Sequence, residues 1–571
     1  MIDNKINKLR NIIKLNNIDG YIVPKNDEFF SEYAFPNRLK TISNFSGSAG
    51  LAIILKDKNF LFVDGRYTLQ SKIESGKNFK IIEIPKSLPH DLLRKYNNKL
   101  LLGFDPKLFT NTSLKRNFKV SCNLFPLNQN LIDLIDSNKK NDYPKKAFYA
   151  LSDKIVGESV NSKINRLIVN LKKQKIDNIF ISAPENIAWL LNLRGKDNPY
   201  SPIPNCQIIL TKNKKIFFFS LKNKNVKIKN KYPYKNFNFF HFNEFVSLIN
   251  KLPGKSFCID ESTCSVFYES IINSKFICKN FVDPCYEMKA IKNSTEIKNM
   301  IKTHIYDGAA LTKFIYWIKN NKKFNFTEID TEKKLEKFRK QNSNYLFPSF
   351  NTIAGSGPNS SIIHYKANKF ANRKIKKNDI FLCDSGGQYK YGTTDVTRTL
   401  CFNKPSNKIK DIFTRVLKGH IAVANTNLNK IQTGKSIDKK ARYFLNKINL
   451  DYAHGTGHGV GFFLNVHEGP QAISKYNEVL LKPGMILSNE PGFYKENEFG
   501  IRIENLVFIS KLNKNIFFKN LTFVPIDIDL INFKLLNKFE KNYLFKYHLE
   551  VYSKISKFLN FKEKKWLLNL I

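Results

Sequence analysis

The sequence predicts an α/β protein with α+β character in its later part: two tandem α/β domains of similar build, then a larger mixed domain. Three observations carry this expectation. A helix-to-strand pattern beginning at Ile6 returns at Ile164. A long helical face opens after Asn293. From Phe347 to Val507, Gly-rich loops alternate with short strands and one more helix, and most of the chemically suggestive side chains lie there.

The first repeat runs from Ile6-Asn7-Lys8-Leu9 through an amphipathic stretch into Ile18-Asp19-Gly20-Tyr21-Ile22-Val23. The second runs from Ile164-Asn165-Arg166-Leu167 to Ile176-Asp177-Asn178-Ile179-Phe180-Ile181. Apolar positions at helical spacing lead through Ile-Asp into a β-branched and aromatic strand in both. Each continues into strand–turn–strand patterns, Gly50 to Leu55 with Phe60 to Val63, and Cys206 to Leu210 with Ile216 to Phe219. The shared Ile-Asp turn and register favour duplication over two unrelated amphipathic helices, and the period is too long for a solenoid. The polar stretch Ser137 to Lys146 reads as the linker. Ser294 is expected to cap the long helix, with Ile297, Met300, Ile301, Ile305, Ala309 and Leu311 on its face. A helix is expected around Ile412 to Asn427, and helical spacing returns from Leu530 to Leu559. The expected domains are 1–145, 146–293, 294–510 and a C-terminal extension, 511–571.

Composition narrows the class. At 571 residues the chain needs several cores, and 42% hydrophobic with 13% aromatic residues can fill them. Lys and Arg number 94 against 48 acids, a formal charge of +46. Such a charge suggests a nucleic-acid or membrane-surface partner. The Lys are spread along the whole chain, however, and accompany abundant Asn, Ile and Phe, which points to an A- and T-rich coding background. No specific nucleic acid and no membrane are therefore expected as partners. No apolar run approaches the roughly 18 residues of a membrane helix. Met1 to Asn17 breaks every apolar cluster with charge or Asn, unlike a secretory leader. The eight Cys include no CxxC pair or zinc-finger spacing. They read as reduced thiols of a cytoplasmic protein.

Three of the nine His fall in HGTGHGVGFFLNVHEGP, as His454, His458 and His467. His364 precedes them in GPNSSIIHY. Asp384 and Asp395 stand in DSGGQYKYGTTDVTRT, Glu490 in SNEPG and Glu504 in GIRIEN. Taken singly, each is an ordinary turn or solvated residue. Together they differ, because Ile380 to Cys383 and Ile501 with Ile503 predict buried strands beside the acids. Buried carboxylates are costly unless paired or metal-bound. Four carboxylates and one imidazole suit two Mn, Co, Fe or Zn ions and fit a thiolate zinc site badly. Two ions about 3.5–4 Å apart can share a bridging water, acidify it and polarise a carbonyl. Nearby His could stabilise an oxyanion. The residues alone thus reach a metal-dependent hydrolase.

These segments also resemble the metallopeptidases of the creatinase, or pita-bread, fold, and within them the three-domain Xaa-Pro aminopeptidases. NFSGSAGLAII and FVDGRYTLQ are similar to the first creatinase-like domain of that family, and IAWLLNLRG to the second. HIYDGAALTKFIYW opens the catalytic domain, and LTFVPIDIDLI with WLLNLI resembles its C-terminal extension. The spacing Asp-x10-Asp, His-x3-His-x8-His and Glu-x13-Glu is highly specific. The resemblance implies hydrolysis of an N-terminal Xaa-Pro bond by a hydroxide bridging two divalent ions, manganese first, with cobalt or zinc as alternatives. It implies Asp384, Asp395, His458, Glu490 and Glu504 as metal ligands and Glu490 as the proton shuttle. His364 and His467 would contact the substrate amide, and His454 would line the proline pocket. Arg502 would order the carboxylates, and Arg66 would reach substrate beyond proline, although DGR is also an ordinary hairpin end. It further implies peptide substrates with proline second, and a homodimer through the aromatic-rich C-terminal region.

Rival readings are a prolidase, which shares the ligands but would be expected on a two-domain chain, and a pita-bread binding module that has lost catalysis. All ligands remain, which opposes the second. Gly434-Lys435-Ser436 imitates the end of a P-loop, but its leading Gly is replaced by Asn429.

Overall fold

Each helix-to-strand repeat builds its own six-stranded sheet, and the two have the same topology. The computed structural model describes residues 2–136, 146–221, 224–225, 228, 236–321, 324–368 and 371–571. The expected linker at 137–146 lies outside these, except for Lys146. The chain forms two units, Met1–Asp153 with Glu158–Tyr286, and Lys154–Gly157 with Glu287–Ile571.

In the first unit, helix α1 (Ile2–Leu15) buries Ile6, Leu9 and Ile13, the stripe its spacing predicts. Strands β1 (Gly20–Pro24), β2 (Leu51–Leu55), β3 (Asn59–Asp64), β4 (Lys80–Ile84), β5 (Leu101–Phe104) and β6 (Asn123–Pro126) follow. Their order in the sheet is β4-β3-β2-β1-β5-β6. Helix α2 (Val160–Lys173) buries Ile164, Leu167, Ile168 and Leu171 in the same way. After it come β7 (Asn178–Ile181), β8 (Gln207–Thr211), β9 (Ile216–Phe219), β10 (Phe237–Phe240), β11 (Ser256–Ile259) and β12 (Ile277–Asn280). Their order is β10-β9-β8-β7-β11-β12, the same topology. In each sheet the first strand pairs antiparallel with the second and parallel with the fifth. This identity of order and direction is what a duplicated domain produces.

The second unit begins with α3 (Ser294–Lys319). Its cap is Asn293 rather than the expected Ser294. Asn293 accepts from the Glu296 amide at 3.0 Å, and Glu296 accepts from the Asn293 amide at 2.9 Å. The reciprocal box needs Glu at the third helical position, and that fixes the cap one residue earlier. Next come α4 (Glu328–Arg339), β13 (Tyr345–Pro348), β14 (Ile353–Ser356), β15 (Ile380–Ser385), β16 (Gly387–Tyr389) and β17 (Val396–Cys401). Strand β15 lies between β14 and β17 and is buried along its whole length. Two amphipathic helices follow, α5 (Asn407–Ala424) and α6 (Gly434–Asn446). Gly434 is explained by packing: a Cβ there would meet the Ala472 carbonyl oxygen at 1.7 Å. Lys435 pairs with Glu478 at 2.6 Å, so the P-loop imitation is a helix start.

The remaining strands are β18 (Gly457–Gly459), β19 (Glu468–Ile473), β20 (Ile486–Asn489), β21 (Gly492–Lys495), β22 (Phe499–Arg502), β23 (Asn505–Leu512) and β24 (Asn515–Asn520). Five of them form a sheet in the order β19-β18-β20-β23-β24, while β21 and β22 form a hairpin. The helical spacing read from Leu530 becomes helix only at Lys538, where α7 (Lys538–Ile555) precedes α8 (Phe561–Leu568). Leu530 and Phe533 sit in short 3-10 turns capped by Asp527 and Asn532, whose side chains divert the backbone there. This extension shares a core with α5: Phe413, Val416 and Leu417 pack with Phe523, Ile526, Leu544 and Val551.

Candidate metal centre

Each predicted ligand sits where a strand ends or bends. Asp384 is the fifth residue of β15, directly opposite Thr397 of β17. Asp395 immediately precedes β17, so Asp395, Thr397 and Thr399 alternate with Val396 and Arg398 and share a face. His458 is the middle residue of β18, at a register shift against β19. Glu490 follows β20, and Glu504 lies between β22 and β23. Gly457 lets β18 approach β20, because a Cβ there would lie 1.9 Å from the Ser488 carbonyl oxygen.

These side chains converge. Asp384, Asp395 and Glu504 each bring an oxygen within 4.8 Å of the others. His458, Glu490 and Glu504 form a second such group, and Asp395, His458 and His467 a third. The Nε2 of His458 is 3.4 Å from both an Asp395 and a Glu490 oxygen. Its Nδ1 is 2.9 Å from the Gly459 carbonyl, which can only accept. The proton therefore sits on Nδ1 in the neutral ring, leaving Nε2 with a free lone pair toward the acids. The His458 and His467 rings stand edge to face with centroids 4.4 Å apart.

The pocket is short of positive charge. Burial, then the charges of Asp395 and Glu490, pushes Glu504 well above the ordinary carboxylate range. Burial is also the main cause that raises Asp395 to about 6 and Glu490 above its usual value. For His458 burial acts downward but is outweighed by the Asp395 and Glu490 carboxylates, and the ring is raised to about 9. The Oδ1 of Asp384 and the Oε1 of Glu504 are buried without a hydrogen-bond partner. Orphaned, mutually repelling carboxylate oxygens beside an imidazole nitrogen are the donor set that divalent cations satisfy. The residues fit a two-ion centre.

Arg502 organises the remaining contacts. Its guanidinium, 2% exposed, donates to Asp384 Oδ2 at 2.6 Å, to Thr397 Oγ1 at 3.1 Å and to the Tyr494 hydroxyl at 2.6 Å. Thr397 in turn donates its hydroxyl to Glu504 Oε2 at 2.8 Å. The Tyr494 hydroxyl lies 2.9 Å from His454 Nε2, and His454 Nδ1 faces the Gly455 carbonyl at 2.7 Å. Neutral His454 therefore accepts from Tyr494, which accepts from Arg502. Ser488 accepts from the His458 amide and donates to Glu490 Oε1, both at 2.9 Å.

His364 lies half-buried after the turn Gly357–Ser361, whose Ser360 hydroxyl accepts from the Gly500 amide of β22 at 2.7 Å. The turn thus docks on the strand that ends in Arg502. Arg66 belongs to the other unit, where it donates to both Asp64 oxygens at 2.9 and 2.7 Å. Tyr494, Thr397 and Ser488 were not singled out from the sequence. Period two from Asp395 would have found Thr397, but no local pattern marks Tyr494, which meets His454 across forty residues.

Duplicated α/β domains ahead of an α+β domain with such a carboxylate–imidazole pocket define a class of metallopeptidase. Residues 298–511 match metallopeptidase family M24, and 515–570 match the C-terminal region of peptidase M24. Residues 5–133 and 139–296 each match the creatinase/prolidase N-terminal domain. The chain belongs to this family. It is 37% identical over 610 residues to Xaa-Pro aminopeptidase 1 of Dictyostelium discoideum, covering 100% of this chain and 96% of that one. It resembles the solved X-prolyl aminopeptidase of Caenorhabditis elegans, a cytosolic enzyme with a di-nuclear active site. The TM-score is 0.93 at 29% identity, over 100% of this chain and 99% of that one. The prolidase of Pyrococcus horikoshii gives a TM-score of 0.53 at 26% identity and covers 64% of this chain and 100% of its own.

Proposed function

We propose that this chain is a Xaa-Pro aminopeptidase whose Asp384, Asp395, His458, Glu490 and Glu504 hold two divalent ions. The observation that supports it best is the convergence of Asp384, Asp395, Glu504, His458 and Glu490 into overlapping ligand groups within 4.8 Å. Similarity to aminopeptidases along the whole chain supports the substrate class. Bound ions would supply Lewis acidity and acidify a water held between them.

The chain's own residues do the rest. Glu490, held by Ser488, takes the proton of the attacking water and delivers it to the proline nitrogen as the C–N bond breaks. His364 and His467 meet the substrate amide and its developing oxyanion. His454, fixed by Tyr494, borders the proline pocket. Arg502 orders Asp384 directly and Glu504 through Thr397. Arg66 as a reader of residues beyond proline stands as a proposal on resemblance alone.

We place the domain limits at 1–145, 146–293, 294–510 and 511–571, the location in the cytoplasm, and manganese first among the ions to test. A homodimer through the C-terminal extension is supported by its exposed Phe539, Phe545, Leu549, Phe561 and Leu568. The experiment is metal analysis of the purified chain, with turnover of Arg-Pro-Pro and Ala-Pro before and after chelation. Metal-dependent release of the first residue from Arg-Pro-Pro supports the reading. Turnover of the dipeptide alone replaces it with a prolidase, and no turnover of either with a binding module.

A further inference from the structure

Outside the ligand pocket, on the reverse face of the strands that carry Asp384 and Asp395, lies a second polar cluster. Its centre is Asp307 of α3, inside the HIYDGAALTKFIYW segment, 2% exposed and paired with Arg339 of α4, 1% exposed. Arg339 donates through Nε to Asp307 Oδ1 at 2.7 Å and through its second arm to Oδ2 at 3.2 Å. Tyr389 of β16 donates to Oδ1 at 2.8 Å, and Thr394 donates to Oδ2 at 2.9 Å. The same arm of Arg339 also donates to Ser385 Oγ at 3.0 Å. Both Asp307 oxygens thus accept two bonds each.

The two hydroxyls reached from this ion pair belong to Ser385 and Thr394. Ser385 follows Asp384, and Thr394 precedes Asp395. Asp384 and Ser385 are neighbours in β15, where adjacent side chains point to opposite faces, and Thr394 is joined to Asp395 just before β17, so a grip on Ser385 and Thr394 sets where Asp384 and Asp395 project. Backbone bonds tighten the grip. The Thr394 hydroxyl accepts from the Gly387 amide at 2.9 Å, and Ser349 donates to the Thr394 carbonyl at 2.8 Å. Gly386 leaves no slack: a Cβ there would lie 1.9 Å from the Thr394 carbonyl oxygen.

A buried ion pair is weak evidence for stability, since well-packed apolar residues often serve as well. Its use must be sought in what it orients. We propose that the Asp307–Arg339 pair is a positioning clamp that sets the spacing of Asp384 and Asp395, and so tunes the affinity of the centre for its ions. This rests on the metallopeptidase reading. Outer groups that orient metal ligands typically contribute about 10–100-fold in affinity.

The test uses the full-length chain, stripped of metal and titrated with manganese chloride alone at 25 °C. Asp307→Asn leaves an amide nitrogen facing donors, and Arg339→Lys loses the fork, so each lowers manganese affinity by about tenfold or more. Thr394→Val keeps the ion pair and removes its link beside Asp395, and lowers affinity in the same direction. Circular dichroism confirms that each variant is folded. Glu540→Gln serves as control: it breaks a buried pair with Lys418, costs stability, and leaves manganese affinity unchanged. With saturating manganese the variants recover turnover of Arg-Pro-Pro at unchanged KM. Manganese affinity equal to wild type in the folded variants overturns the clamp. Wild-type chain that takes up no manganese or other divalent ion overturns the metallopeptidase reading itself, and the clamp with it.

Discussion

Arg502→Gln is the sharpest perturbation of the pocket that leaves every proposed ligand in place. The guanidinium makes one charged bond, to Asp384, and two bonds to hydroxyls, on Thr397 and Tyr494. Each hydroxyl in turn donates a hydrogen bond, to Glu504 and to His454. At about 2 kcal/mol for the ion-paired bond and 1 for each bond to an uncharged hydroxyl, Arg502 contributes about 4 kcal/mol of ordering. Glutamine can rebuild about one neutral bond, which leaves a deficit of about 3 kcal/mol. If that ordering acts in the transition state, kcat/KM for Arg-Pro-Pro falls about a hundredfold.

Charge gives the direction independently. With two dications bound, the four proposed carboxylate ligands would cancel their charge, and Arg502 would add one positive charge to favour the anion that develops on the scissile carbonyl. Arg502→Lys keeps that charge but cannot span three acceptors, and its loss is smaller, about tenfold. Steady-state turnover with metal content measured on the same samples is the assay. An Arg502→Gln protein that keeps its metal and stays within threefold of wild type refutes the reasoning.

Glu490→Gln retains the fold and lowers turnover by about 10²–10⁴, the range for loss of a general base, and near-normal turnover removes Glu490 from that role. Glu328, fully buried, accepts from the Ser356 and Arg373 amides, Asn359 and Tyr365, and so pins the loop that carries His364. Glu328→Gln places a donor among those donors, costing about 1–3 kcal/mol, and raises KM while metal content is unchanged; an unchanged KM speaks against the loop's role. His304, buried in α3, is depressed by burial to about 4. Below the unfolded value of about 6.5 the unfolded chain gains a proton that folded His304 refuses. Between pH 6.5 and 4 the stability advantage of wild type over His304→Gln therefore shrinks by about 3 kcal/mol. Parallel denaturation curves across that range would show instead that His304 titrates freely when folded.

Much of this was legible in the chain. Helical spacing at Ile6, Leu9 and Ile13 and again at Ile164, Leu167 and Leu171 yielded the duplication, because a buried stripe leaves a period in sequence. The apolar run Ile380 to Cys383 placed Asp384 on a buried strand for the same reason. What escaped was set by tertiary meeting. Tyr494 gains its role only because hairpin β21–β22 folds it onto Arg502 and His454, and Asp307 only because α3 passes behind β15 and β17. The cap at Asn293 was missed by one residue because Ser294 is itself a good capping residue. The decisive signal was Glu296 three positions after Asn293.

The basic excess and the acidic pocket are two sides of one argument. In the second unit several buried acids are matched by the chain's own bases: Asp307 by Arg339, Asp438 by Arg442, Asp527 by Lys319, Glu468 by Lys292 and Glu540 by Lys418. With 94 Lys and Arg available, such matching is easy. Asp395 and Glu490 instead face the imidazole of His458, and Glu504 the hydroxyl of Thr397. Bases are abundant in this chain, yet the four acids of the pocket share one guanidinium, Arg502, and one imidazole, His458. A pocket built that way raises the Asp395, Glu490 and Glu504 carboxyls, because their ionised forms repel one another until something with more charge per volume than a lysine enters. Divalent ions supply that charge, and their removal should loosen this pocket before any other part of the second unit.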